Sequence, residues 1–142
     1  MDKSLNYMAL ARKAGRIELG EEPVGAAARA QKARLVVVAA DASDHTWRRA
    51  KSFVAGTDQQ CVKIPYTKAE LGLSVGRTEL ALAAFTDAPL ALAFLQALEN
   101  PKAYEKALES LEKRSHRIRQ HKAEAKAAQK NKRFGKALSM KK

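Results

Sequence analysis

Residues 32–43 read KARLVVVAADAS and contain an unbroken apolar run from Leu35 to Ala40. Three consecutive valines in so short a run are typical of a strand that is buried on both faces, as in a sheet covered by helices on each side. The alternative, a buried helix segment, is disfavoured because valine is a poor helix former. Asp41 and Ser43 offer side-chain oxygens that can cap a following helix. The segment therefore predicts a central strand that leads into a helix.

The segments on either side of this strand alternate between helical and extended patterns. Apolar residues at helical spacing predict four longer helices, over residues 4–14, 22–31, 43–55 and 88–98. Short apolar runs predict three further strands, over residues 16–19, 61–64 and 80–85. Thr67 and Glu70 have the spacing of a capping box, which predicts a short helix before the last strand. This alternation predicts an α/β fold with a sheet between two helical layers.

The formal charge of +12 is unevenly distributed along the chain. Residues 1–100 contain 13 basic and 11 acidic residues, whereas residues 101–142 contain 14 basic and 4 acidic residues. We therefore divide the chain into an α/β domain over residues 1–100 and a basic, helical or disordered tail over residues 101–142. A cationic tail on a nearly neutral domain indicates a polyanionic partner, most often nucleic acid. A tail that only improves solubility is the alternative.

The tail begins with a narrow apolar seam and then becomes strongly polar. The seam consists of Tyr104, Ala107, Leu108 and Leu111. From Lys113 onward the chain contains 12 basic residues and one acid, Glu124, which is too polar a composition to fold by itself. This part is either an extension of the domain that frays or a segment that becomes ordered on RNA. The seam also suggests a different class of function, a protein–protein adaptor that uses it as a docking helix.

The composition also bounds the class of protein. Cys61 is the single cysteine, which excludes an internal disulfide framework and fits a reducing compartment. The apolar part of the N-terminal segment is too short for a signal peptide, and no run approaches the roughly 20 apolar residues of a membrane span. The histidines His45, His116 and His121 are scattered, so no metal site is expected. The sequence predicts a soluble cytoplasmic protein without cofactors.

Several side chains allow both a structural and a functional interpretation. Trp47 lies on the apolar face of a predicted helix, where it either packs in the core or stacks on an exposed base. Cys61 is interpreted as a packed rather than a nucleophilic residue. Asp41 and Asp44 are interpreted as helix caps. Because no catalytic constellation is found, the protein is not expected to be an enzyme. The alternative is an enzyme that acts on RNA with Asp41 or Glu22 as the base, but no feature of the sequence requires it.

Four separate pieces of the chain resemble the kink-turn-binding ribosomal protein superfamily, in particular its bacterial YlxQ-like branch. The pieces are LARKAGRIELGEE at residues 10–22, KARLVVVAADAS at residues 32–43, ELGLSVG at residues 70–76, and residues 79–87. They are similar to the family's first helix and turn, its central strand and cap, its Glu-Leu-Gly-x-x-x-Gly turn and its last strand. The resemblance does not include the tail, residues 101–142. It implies a three-layer α/β/α sandwich with a small mixed four-stranded sheet.

The resemblance also implies RNA binding, often at a sharply bent internal loop, within ribosomes and other RNA–protein particles. The family's contact surface corresponds here to Gly20-Glu21-Glu22 and to Arg77-Thr78-Glu79. A glycine allows close approach of a backbone, and a helix N-terminus offers N–H groups to phosphates or base edges. These two segments are therefore expected to lie together on the RNA-binding surface.

The chain departs from the family's kink-turn pattern at three positions. Glu22 stands where the pattern has asparagine, Pro23 where it has glutamate, and Ala26 where it has lysine. An amide donor and a cation are therefore absent, and a carboxylate lies where RNA would approach. The sequence predicts binding to structured RNA and leaves open whether standard kink-turns are bound.

RNA contacts are expected from the domain and from the tail. The predicted RNA-binding residues are Arg16, Gly20, Glu21, Glu22, Arg29, Lys32, Arg77, Thr78, Lys113, Arg114, Arg117 and Arg119. The cations among them are either phosphate contacts or solvated surface charges. The sequence thus predicts a monomeric, RNA-binding ribosomal or ribosome-associated protein whose further partners belong to RNA–protein particles and which does not contact membranes.

Overall fold

The computed structural model describes the backbone of residues 2–140 and the side chains of residues 2–118, 120 and 123–125. Within these residues the chain forms six helices and four strands. In chain order they are α1 (Lys3–Lys13), β1 (Ile17–Leu19), α2 (Glu21–Arg29), β2 (Leu35–Val38), α3 (Asp44–Val54), β3 (Gln60–Lys63), α4 (Lys68–Ser74), β4 (Leu82–Phe85), α5 (Ala88–Ala97) and α6 (Glu105–Met140).

The four strands form one mixed sheet in the order β1-β4-β2-β3. β4 pairs antiparallel with both β1 and β2, whereas β2 and β3 are parallel. The predicted small mixed four-stranded sheet is confirmed, and β2 is one of its two inner strands. β1 and β3 are the two edges, so they lie on opposite sides of the molecule.

The residues of β2 alternate between two separate hydrophobic cores. Leu35 and Val37 pack in the first core, with buried residues of α1, α4, α5 and α6. Val36 and Val38 pack in the second core, with buried residues of α2 and α3. All four side chains are fully buried, as expected for a strand covered on both faces. The three-layer α/β/α sandwich is therefore confirmed.

Side-chain caps fix where several helices begin. Ser43 Oγ accepts a hydrogen bond of 3.1 Å from the backbone N–H of Thr46 and caps α3. Thr67 and Glu70 form the predicted capping box of α4. Asp41 caps a different helix from the one expected, because its Oδ1 accepts a 2.8 Å hydrogen bond from the N–H of Lys68 at the start of α4. This contact joins two loops that are distant in sequence.

Two predicted elements are shorter in the structure, for identifiable reasons. The last strand begins at Leu82 rather than at residue 80, because the N–H of Leu80 donates to Lys68 O instead of to the sheet. The helix predicted to end at residue 31 stops at Arg29, and Gln31 has a φ of +59° that a helix cannot accommodate.

The first turns of α6 are part of the domain core. Tyr104, Ala107 and Leu111 are buried in the first core, and Leu108 packs against it. The Tyr104 hydroxyl donates a 3.2 Å hydrogen bond to Lys63 O at the end of β3. The seam is therefore covered by the protein's own domain, and the interpretation of it as a free docking helix for a partner protein is wrong.

Within the part of the chain that the structure describes, no helix has both the length and the apolar character needed to cross a membrane.

Candidate nucleic-acid interface

Three helices begin at the same end of the sheet. The strand register aligns Leu19, Val38, Lys63 and Leu82 at this end. α2, α3 and α4 follow β1, β2 and β3 respectively, so their N-termini all lie here. Helix N-termini carry unpaired N–H groups and the positive end of the helix dipole, which makes this end of the molecule suited to anionic or hydrogen-bond-accepting ligands.

The N-terminus of α2 differs from the other four helix starts for which the cap is described. Asp2, Ser43, Thr67 and Asp87 each accept a hydrogen bond from a first-turn N–H of α1, α3, α4 and α5. α2 begins after Gly20, which has no side chain to accept such a bond and whose φ of +92° favours glycine. Pro23 has no N–H and the Val24 N–H donates to Gly20 O, so the N–H groups of Glu21 and Glu22 are the ones open toward an external acceptor.

The loop between α4 and β4 lies against this opening. A Cβ placed on Gly20 would lie 3.9 Å from Nη1 of Arg77. Gly72 permits this arrangement, because a Cβ there would come within 2.8 Å of both Arg77 O and Glu79 N. The loop is also held by a 2.8 Å hydrogen bond from Arg77 N–H to Gly72 O. The two segments indicated by the family resemblance thus lie side by side.

We use the term α2 site for Gly20, Glu21, Glu22, Arg77 and Thr78. Apart from half-buried Gly20, these residues are exposed. The guanidinium of Arg49 in α3 forms an ion pair with the Glu21 carboxylate, which offsets one of the two negative charges at the site. Open N–H groups and the Arg77 guanidinium together can bind phosphate oxygens or acceptor atoms on base edges.

Three of the predicted RNA-binding residues from the domain lie away from the opening. Arg16 is at the opposite end of β1 from Gly20, where its carbonyl accepts a hydrogen bond from Thr86 N–H. Arg29 is the last residue of α2, and Lys32 follows the helix at that same end. The structure therefore places Arg16, Arg29 and Lys32 toward the far end of the sheet.

Three of the four predicted cations of the tail lie on the other edge of the sheet. Lys113, Arg114 and Arg117 line a cleft of about 390 Å³ between α6 and the start of β3. Arg114 forms a 2.7 Å ion pair with Asp58, and Lys113 forms a 3.2 Å ion pair with Glu109. The α2 site is beside β1, so the domain and tail residues do not form one continuous patch. The side chain of Arg119 is outside the described residues.

Long-range contacts that sequence reasoning missed support both ends of the sheet. Arg49 reaches Glu21 and also lies 5.5 Å from the ring centroid of Phe53. The buried amide of Gln59 accepts from Ala33 N–H and donates to Ala28 O, at 3.1 Å each, and so fixes the far end of α2 to β3. The contacts of Arg49 with Glu21, and of Gln59 with Ala33 and Ala28, join residues more than 25 positions apart, so no local sequence signal pairs them.

Two residues considered for chemistry have structural explanations. Asp41 is engaged as the cap of α4. Cys61 is half-buried, and its burial raises the pKa of the thiol to about 12, partly opposed by the nearby Lys51. Cys61 packs against the second core, which confirms its interpretation as a packed residue, and a thiol that stays protonated is a poor nucleophile. Among the described residues, no three His, Cys, Asp or Glu side chains are grouped so as to hold a metal ion.

Comparisons with known proteins identify relatives of this chain. RNA-binding protein YlxQ from Enterococcus faecium is 33% identical over 75 residues, which cover 53% of this chain and 72% of that protein. A Bacillus halodurans protein of unknown function has a similar structure, with a TM-score of 0.65, 22% identity, and coverage of 70% of this chain and all of that one. No protein-family model matches the chain.

A second solved structure shares the fold. It is a Giardia lamblia 15.5kD RNA binding protein, with a TM-score of 0.52, 20% identity, and coverage of 72% of this chain and 85% of that one. At these identities the two structures establish the fold alone. The sequence match to YlxQ extends over 72% of that protein and agrees with the family resemblance of the sequence motifs. The chain therefore belongs to the YlxQ family.

Proposed function

We propose that this protein binds structured RNA through the α2 site, as a monomer in the cytoplasm, and that it acts in the ribosome or in ribosome assembly. The observation that carries the proposal is the uncapped N-terminus of α2 next to the Arg77 guanidinium. The relatives support it, because YlxQ and the Giardia lamblia protein are both described as RNA-binding. Catalysis is not part of the proposal.

In this proposal the domain and the tail make different contacts with RNA. Residues 1–100 provide the α2 site, and residues 101–142 provide cations that attract the phosphate backbone. Among the described cations of α6, Lys113, Arg114 and Arg117 lie on the opposite edge of the sheet from the α2 site. RNA that contacts both must therefore extend around the domain or have a bent shape, which favours a folded RNA over a short straight duplex.

The proposal is tested by crosslinking the protein to RNA in cells and sequencing the bound fragments. We expect crosslinks concentrated at a few positions of ribosomal RNA, because a small preformed site recognises a defined shape. The recovered fragments are then measured for binding in solution. Crosslinks spread evenly over cellular RNA would contradict a specific RNA site.

Restoring the family's kink-turn pattern is expected to increase affinity for a kink-turn RNA. In the triple variant Glu22→Asn, Pro23→Glu, Ala26→Lys, all three positions are exposed, so the changes do not disturb the core. The new amide and cation should raise affinity about tenfold, because hydrogen bonds to charged groups are among the strongest polar contacts. Fluorescence anisotropy of labelled RNA measures the change.

A straight duplex of the same base composition is the matched control for the triple variant. Its affinity should change much less, since the added lysine contributes to any RNA but the amide contributes only at a bent loop. Equal gains for both RNAs would show that charge alone is responsible and that the α2 site does not read RNA shape.

A further inference from the structure

The outer surface of α3 concentrates positive charge outside the α2 site. Arg48, Arg49 and Lys51 are exposed on this helix, and Lys63 is exposed at the end of the neighbouring strand β3. The only acid of α3 is Asp44, in its first turn. Of these four cations, Arg49 is paired with Glu21 at the α2 site.

Two of these cations lie close to one aromatic ring. The ammonium groups of Lys51 and Lys63 lie 5.1 Å and 5.4 Å from the ring centroid of Trp47. Trp47 is half-buried and packs against the second core. Two like charges close to one ring repel each other, so an anion that separates or neutralises them would be favoured.

An indole flanked by flexible lysines matches the requirements of a single-stranded nucleic acid. Such sites combine an aromatic side chain, on which a base stacks, with cations that follow the phosphates. An exposed cation–π contact is weaker than the stacking of a base on an aromatic ring. A base can therefore displace an ammonium group from the indole, and the lysine can then pair with a flanking phosphate.

We propose that Trp47, Lys51 and Lys63 form a second RNA-binding site, which takes an unpaired base and the phosphates beside it in a single-stranded segment. The inference rests on the proposed RNA-binding function and adds a ligand class that the α2 site does not require. The ion pair between Arg49 and Glu21 joins the two surfaces, so one RNA with a folded element and an unpaired extension can occupy both.

The single tryptophan of the chain makes this site directly observable. The full-length protein is titrated with an oligoadenylate of about ten nucleotides, a length within the usual range for single-strand sites. Label anisotropy reports binding, and tryptophan emission reports stacking. We expect quenching that saturates together with the anisotropy. Inorganic polyphosphate, which offers charge without bases, should quench much less.

Two outcomes of this titration would overturn the inference. One is saturated anisotropy with unchanged tryptophan emission, and the other is equal quenching by polyphosphate. A structured RNA that binds while no single strand affects Trp47 overturns only this second site. If neither kind of RNA binds, the proposed function fails as well, so the two failures are distinguishable.

Substitutions separate stacking from packing. Trp47→Phe keeps an aromatic ring and should retain binding of the oligoadenylate, whereas Trp47→Leu keeps apolar volume without a ring and should weaken binding about tenfold. Circular dichroism shows whether both variants remain folded. Equal losses in the two folded variants would indicate that the ring only fills space and would reject the site.

A pair of charge variants tests the lysines. Lys51→Gln with Lys63→Gln should make the negative slope of log affinity against log salt shallower by about 1.4, since each phosphate contact to a single strand contributes about 0.7. The matched control is Lys3→Gln with Lys102→Gln, which removes the same charge from exposed positions beside the other core. The same decrease in both double variants would mean that net charge, not this site, sets the slope.

Discussion

Replacing Leu111 by alanine is expected to lower the free energy of unfolding by about 2–5 kcal/mol. Leu111 is 2% exposed and belongs to the first core, which also contains Phe94 and Leu95 of α5. Truncation removes apolar contacts and leaves a cavity that the neighbouring helices fill only in part. For a domain of this size the loss is a large part of the total stability of about 5–15 kcal/mol.

The exposed leucine Leu73 provides a matched control for this measurement. Its side chain is 75% exposed in α4, so Leu73→Ala should change stability by no more than about 0.5 kcal/mol. Urea unfolding followed by circular dichroism measures both variants. If Leu111→Ala unfolds at the same midpoint as the unchanged chain, the first turns of α6 do not contribute to the folded domain.

Local sequence signals were sufficient for most of the fold. The valines of β2, the cap at Ser43 and the capping box of Thr67 and Glu70 are all encoded within a few neighbouring positions, and all three are confirmed. Such features depend on backbone preferences and short-range hydrogen bonds. They are therefore readable from the sequence without knowledge of the tertiary structure.

Features that depend on distant contacts were not predictable in this way. Asp41 has the residue type of a cap, but the N–H that it accepts from belongs to Lys68, which only the folded loops bring near. Likewise, the apolar seam was correctly recognised in the sequence, yet nothing local indicated whether Leu111 faces a partner or the domain itself. The direction of burial is decided by tertiary packing.

The candidate site shows the same limit. The closeness of Gly20 to Arg77 depends on the tight approach of the chain at Gly72. The family resemblance indicated this closeness, whereas helical or strand periodicity could not. Conversely, Arg16 is only four positions from Gly20 but lies at the other end of β1. Sequence proximity therefore misjudged which cations surround the opening.

Removing residues 126–142 is expected to reduce RNA affinity about a hundredfold at low ionic strength and to flatten its salt dependence. This segment contains seven cations and no acid, so the formal charge falls from +12 to +5. If every cation contacts a phosphate, the negative slope of log affinity against log salt becomes shallower by up to about 5. The shortened chain keeps Tyr104, Ala107 and Leu111, and its domain should stay folded.

A full-length variant with these seven cations replaced by glutamine separates charge from chain length. It should lose affinity and salt dependence as the shortened chain does, because the attraction to phosphates depends on charge. Anisotropy titrations at several salt concentrations give both quantities. Unchanged affinity and slope, together with aggregation of the shortened chain, would show that the tail serves solubility alone, and RNA binding would then depend on the domain surfaces.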